Sequence, residues 1–69
     1  LKDGLVLLID LNTLTLQAGA NTLNLNAGGN VSIVSHNNVA SNIGTAYAAN
    51  GFIMVCYNST SAVWVDLSQ

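Results

Sequence analysis

"NTLTLQAGANTLNLNAGG", residues 12–29, is the stretch whose reading decides the fold. Set in nines, it becomes Asn-Thr-Leu-Thr-Leu-Gln-Ala-Gly-Ala followed by Asn-Thr-Leu-Asn-Leu-Asn-Ala-Gly-Gly, identical at six of nine positions. Such a doublet either begins a solenoid or writes one supersecondary unit twice. Solenoids need about three stacked units before a shared core forms. The next nine, "NVSIVSHNN" (30–38), keeps little beyond its leading Asn. Calcium-binding nonapeptide rolls also require a Gly-Gly-x-Gly-x-Asp pattern, and this region holds no Asp. The doublet therefore reads as two successive strands, 13–17 and 22–26, in a local β-meander, with a β-helix segment as the alternative.

The rest of the chain continues in β structure. "GLVLLIDL" (4–11) and "FIMVCY" (52–57) are nearly continuous apolar runs, the pattern of strands covered on both faces. "NVSIVS" (30–35) alternates and directs Val31 and Ile33 inward, and "AVWVDL" (62–67) closes the chain. Gly and Asn in "QAGAN" and "NAGGN" suit tight turns, and "NSTS" (58–61) suits a hairpin loop. The chain has no proline, so every backbone N–H can join a ladder. Residues 36–51, small and polar, read as a long loop with one helical turn near Thr45–Ala49. The fold class is all-β: a short antiparallel meander forming a small sandwich or β-prism, in a single domain over 1–69.

Composition adds a requirement for company. A chain of 69 residues buries only about 60% of its unfolded surface and is marginal alone. Disulfides, metals or oligomerisation usually compensate. Cys56 is the only cysteine and His36 the only histidine, so neither a disulfide nor a metal cluster is expected, and no cofactor is implied. Oligomerisation remains. The chain is 51% hydrophobic and 6% charged, and no Lys, Arg, Asp or Glu lies between Asp10 and Asp66. So little charge suits a surface covered by neighbouring subunits. Asn, Ser, Thr and Gly interrupt each apolar run, so membrane insertion through a helix is not expected. A net charge of −2 speaks against nucleic acid. The acid-bearing first segment does not match a signal or transit peptide. A start at Leu1 rather than Met suggests a fragment of a longer protein.

The two doubly apolar strands sharpen the argument. One face of each can enter the chain's own core, but so short a chain has little left to cover the other. Each buried Leu, Ile or Phe contributes about 1.5–3 kcal/mol, so leaving several in water would forfeit much of the stability. No amphipathic helix is available as cover. The expected oligomer contacts are Leu7, Ile9, Ile53, Val55 and Trp64.

Taken together, "TLQAGANTLNLNAGG", a variable loop, and "AANGFIMVCYNSTSAVWVDL" resemble the small β-modules of bacteriophage tail fibres. Those modules run from a Thr- and Leu-rich strand pair through a loop to a Gly-preceded apolar strand ending in Tyr. A short polar turn and a Trp-containing strand follow. Here the ending is Gly51 to Tyr57, then Asn58–Ser61, then Val63-Trp64-Val65. The family's turn often reads Asp-Gly-Thr, and "NSTS" departs from it. The resemblance implies a homotrimeric fibre segment on a virion, contacting other virion proteins and a host-surface glycan or protein receptor. A capsid decoration or head-fibre protein with a purely structural role is the alternative.

Candidate chemistry is sparse. The loop residues His36, Asn37, Asn38, Ser41, Asn42 and Tyr47 offer donors, acceptors and an aromatic face to a hydroxyl-rich ligand, although Asn and Ser also populate loops for backbone reasons. Asp10 and Asp66 would approach if the first and last strands were neighbours, giving a glycosidase-like carboxylate pair; otherwise they are strand-end charges. Catalytic residues are not expected. Cys56, with no basic neighbour, reads as a small buried hydrophobe. The sequons at Asn30 and Asn58 matter only in a eukaryotic secretory setting.

Overall fold

The computed structural model describes residues 2–25, 29–36 and 38–68, and for 38–40 the backbone alone. Its strands are β1 (Val6–Asp10), β2 (Asn21–Asn24), β3 (Asn30–Ser35), β4 (Asn38–Asn42), β5 (Phe52–Asn58) and β6 (Val63–Asp66). No helix occurs among the described residues. The strands form one curled, half-barrel sheet in the order β1-β5-β6-β3-β2, with β4 paired to β3. All pairings are antiparallel except β3 with β6, which is parallel. The sheet is therefore mixed, where a purely antiparallel meander was expected.

Pairing decides which side each apolar run shows to the core, because alternate residues of a strand face opposite ways. Leu7 lies opposite Val55 and Ile9 opposite Ile53. Across the next ladders Tyr57 faces Trp64, and Trp64 faces Ile33. This row is the core: Ile33, Ile53, Val55 and Trp64 are buried, with Leu7, Ile9, Leu23, Val31 and Tyr57 packed against them. Tyr57 meets Trp64 edge-on, with ring centroids 5.4 Å apart, an arrangement worth about 0.5–1.5 kcal/mol beyond area burial. The Trp64 Nε1 proton has no hydrogen-bond partner, which offsets part of that gain.

The core side is closed by segments between strands. Leu11 and Ile43 are buried in the cluster, and Leu16 and Tyr47 pack against it. These segments are tied by paired backbone bonds between Leu16 and Tyr47, by Gly19 N–H to the Ile43 carbonyl, and by Asn50 N–H to the Asn12 carbonyl. Gly19 has φ +114°, a conformation L side chains rarely adopt. The thinnest dimension, 17 Å, fits one sheet plus one layer of covering chain.

Two expectations are corrected here. The segment 13–17 is not a strand; it contributes the isolated bridge at Leu16, and Leu14 is exposed. The two nines therefore do not pair with each other. Gly19 turns to Ile43, and the Asn21 side chain bonds the Gln17 and Gly19 carbonyls, so β2 starts afresh and pairs with β3. Within the expected loop over 36–51, residues 38–43 are extended, as β4 and the bridge at Ile43, and Tyr47 takes a bridge rather than a helical turn.

The last hairpin matches expectation. β5 and β6 pair from Asn58 opposite Val63 inward to Val55 opposite Asp66. Asn58 Oδ1 accepts from the Ser61 N–H at 3.0 Å, and Ala62 sits at φ 54°.

Candidate functional site

Two regions of the sheet carry the features a functional site would need, and they hold only some of the residues singled out by sequence. The first is polar, at the end of the parallel β3–β6 pair. The register sets Ser35 beside Asp66. Asp66 is 1% exposed, yet its carboxylate is held: Tyr47 Oη donates to Oδ2 at 2.7 Å and Ser68 N–H to Oδ1 at 2.8 Å. His36 Nδ1 lies 3.2 Å from the Asp66 carbonyl oxygen, which can only accept, so the bond places a proton on Nδ1. His36 and Tyr47 thus converge on one strand end although eleven positions separate them in sequence.

The other candidates do not gather around them. Asn42 is exposed and pairs with Val34 at the irregular β3–β4 ladder. Asn38 contributes backbone to that ladder, opposite Ser35, and Asn37 lies outside the described residues. Tyr47 is half-buried, its ring against the core and its hydroxyl engaged by Asp66, so it is built as a latch more than as an open stacking platform. Asp10 and Asp66 do not form a pair. Each neighbours β5, at Phe52 and at Val55, so they lie on opposite sides of the sheet. Among the described residues, no group of three His, Cys, Asp or Glu could hold a metal ion.

The second region is the outer side of β1, β5 and β6. Val6 is 51% exposed, Leu8 65%, Phe52 56%, Met54 40% and Leu67 45%. Leu8 lies opposite Met54, and the Leu67 N–H bonds the Met54 carbonyl, so these side chains form one continuous row. Beside it Val6, Cys56 and Val65 line up across the three strands. Cys56, Val65 and Leu67 form one wall of an open hollow of about 280 Å³, completed by Asp3, Gly4, Tyr57 and Asn58. Asp3 fixes that end: its Oδ1 accepts the Ser59 N–H at 2.8 Å and the Ser59 hydroxyl at 3.1 Å. These bonds, the backbone one first, hold the Asp3 carboxyl below its ordinary range.

The expected contact residues belong to the other side. Ile53, Val55 and Trp64 are 0–1% exposed within the single chain, and Leu7 and Ile9 are half-buried against the same cluster. Ile53, Val55 and Trp64, so enclosed, have no surface left for a neighbour, whereas Leu7 and Ile9 keep part of theirs; the exposed apolar row on the sheet is Val6, Leu8, Phe52, Met54 and Leu67. The signal for this parity was in the sequence. Asp10 ends β1 and Asn58 ends β5 in the same alternate set as Leu8 and Phe52, which marks that set as the solvent side.

No protein-family model, no curated protein and no solved structure matches the chain.

Proposed function

We propose that the chain is a structural and adhesive module of a bacteriophage tail fibre, assembled as a homotrimer on the virion and contributing to host-surface receptor binding. One observation carries the reading. A chain with a single cation and three acids leaves an unbroken apolar row on the outside of its sheet. Surface of that kind is stable in water when neighbouring subunits cover it. The order of its motifs, from the Thr- and Leu-rich stretch to the Trp-containing last strand, supports the fibre context.

In this reading the all-β chain supplies rigidity and its polar loops supply contact. Asn42, Ser41 and the exposed Asn12–Thr15 turn offer amide and hydroxyl groups to a glycan or protein on the host. The test has two arms. Native mass spectrometry reads the oligomer, expected at three times 7.1 kDa. Retention of the purified module on cells or surface glycans of the phage's bacterial host reads adhesion. An assembled module that fails to adhere would favour the capsid-decoration role. A monomer that binds nothing would end the proposal.

A further inference from the structure

We infer that the outer face of β1, β5 and β6 is where copies of this chain meet, so that it points to the oligomer axis and the core-side loops point outward. The inference rests on the oligomeric part of the proposed function and adds to it which surface is inside.

Size is the first argument. The exposed fractions of Val6, Leu8, Phe52, Met54 and Leu67 correspond to roughly 500 Å², near the upper end of the largest apolar patch on an ordinary monomer. That is well over half of the ~800 Å² a standard interface takes from each partner, and here it comes from a chain of 4220 Å² in total.

Placement is the second. The same side of the sheet turns polar toward its far edge. Asn30 and Ser32 of β3, with Thr22 and Asn24 opposite them on β2, are all exposed. On this side of the sheet the exposed apolar residues therefore lie over β1, β5 and the end of β6, while Val34 of β3, beside Val65, is buried by the chain itself; Leu5 and Leu14 are exposed outside this row.

The identity of the occupant follows from charge. Rotational symmetry brings like residues near one another, so a charged face repels its own copies, whereas a neutral one meets itself without penalty. No charged residue lies in 4–9, 52–58 or 63–65. Asp10 stands at one margin of the face, and Lys2 and Asp3 at the other, where water can reach them. A face so neutral has nothing with which to steer or select a charged partner, and homo-oligomeric contacts are the more apolar class. The hollow between Gly4 and Leu67 is lined by Cys56, Val65 and Leu67 of this face, with Asp3, whose carboxylate is engaged by Ser59, and Asn58 at its margin. It gives a neighbouring copy's apolar side chain a place to seat.

The test uses the chain's single thiol as a reporter. Native mass spectrometry and Cys56 labelling by a maleimide are compared for the wild type, Leu8→Asp, Phe52→Asp and the polar-side control Thr22→Asp. Near-ultraviolet circular dichroism from buried Trp64 checks that each variant is folded. The expected result is an assembled wild type and control with slow Cys56 labelling. Leu8→Asp and Phe52→Asp should be folded monomers, with association weakened by on the order of a hundredfold and labelling correspondingly faster. If both variants stay assembled with Cys56 still protected, the copies meet elsewhere. The face assignment then falls, while the oligomeric module stands. A wild type that is monomeric at every concentration overturns both.

Discussion

The bond between Tyr47 and Asp66 is the contact whose removal is easiest to weigh. Tyr47 Oη donates to a carboxylate that is 1% exposed, at 2.7 Å. Tyr47→Phe keeps the ring that packs on the core and removes the hydroxyl that donates to Asp66. The other carboxylate oxygen keeps the Ser68 N–H at 2.8 Å. A hydrogen bond to a charged group is worth about 1.5–3 kcal/mol, and leaving the buried acceptor unmatched costs a similar amount. We expect a loss of about 2 kcal/mol. A domain under 70–80 residues has only about 3–5 kcal/mol to lose, so the variant should remain folded at 25 °C but melt roughly 8–16 °C lower. Urea unfolding followed by Trp64 fluorescence, at one fixed protein concentration because assembly stabilises by mass action, would measure it. The control is Asp66→Asn, which removes the charge and keeps a carbonyl acceptor for one of the two donors, Tyr47 Oη or the Ser68 N–H, while its amide NH2 faces the other. Against that background Tyr47→Phe should cost about 1 kcal/mol, the value of a neutral hydrogen bond, and the difference is the coupling energy of the pair. A loss under about 0.5 kcal/mol for Tyr47→Phe in the wild-type background would show that the hydroxyl is not holding Asp66 and that the latch does not exist.

Other consequences are read by simpler measurements. Ala62 sits at φ 54° in the Ser59–Ala62 loop, a region that costs a non-glycine residue about 1–2 kcal/mol; Ala62→Gly should raise the urea midpoint despite glycine's greater freedom in the unfolded chain. Ile53→Ala should cost about 2–5 kcal/mol and unfold most of the protein, whereas Phe52→Ala, one residue away and 56% exposed, should leave the monomer fold intact and change only assembly. Asp3 has its folded pKa depressed by Ser59, so its contribution is present above the unfolded value of 3.8 and is lost as pH falls through the folded value. Asp3→Asn should therefore flatten the stability profile below about pH 4, with little change at pH 7 beyond the loss of the Ser59 contacts.

How much of this was legible in the sequence depends on whether a segment's partner is local. β3 spans the six residues its alternation marks, Asn30–Ser35, and β5 extends its expected run by Asn58 alone. The Asn58–Ser61 turn is found within one residue of its place. These elements carry their own evidence, in alternation and in turn residues. The 13–17 stretch carries the same evidence and is not a strand, because alternation shows only that a segment would suit a sheet edge. It does not show that an edge is vacant. β2 takes the antiparallel place beside β3, and what remains for Leu16 is the bridge to Tyr47. The parallel contact of β3 with β6 was equally out of reach, since it joins residues thirty-one positions apart without a helix to announce the crossover.

The polar site shows the same dependence from the opposite side. A charged residue near a strand end normally marks the solvent row, and Asp10 does so. Asp66 breaks that rule because it alternates with Trp64, the bulkiest side chain of the core, and the register carries both inward. A carboxylate taken into the core must be met by donors. Those donors come from Tyr47, nineteen positions back, and from the Ser68 backbone two residues on. The Asp66 backbone carbonyl in turn accepts from His36, from yet another turn of the chain. The Tyr47–Asp66 bond is thus one of the ties, with the burial of Ile43 and the backbone bridges to Leu16 and Gly19, that hold the 43–50 segment across the core side. Once that side is closed by the chain itself, the surplus apolar side chains of β1 and β5 have only the outer face left. The same parity that buries Trp64 and Asp66 therefore puts Leu8, Phe52 and Met54 outside, and the interface proposed on that row would be the counterpart of a core completed from within.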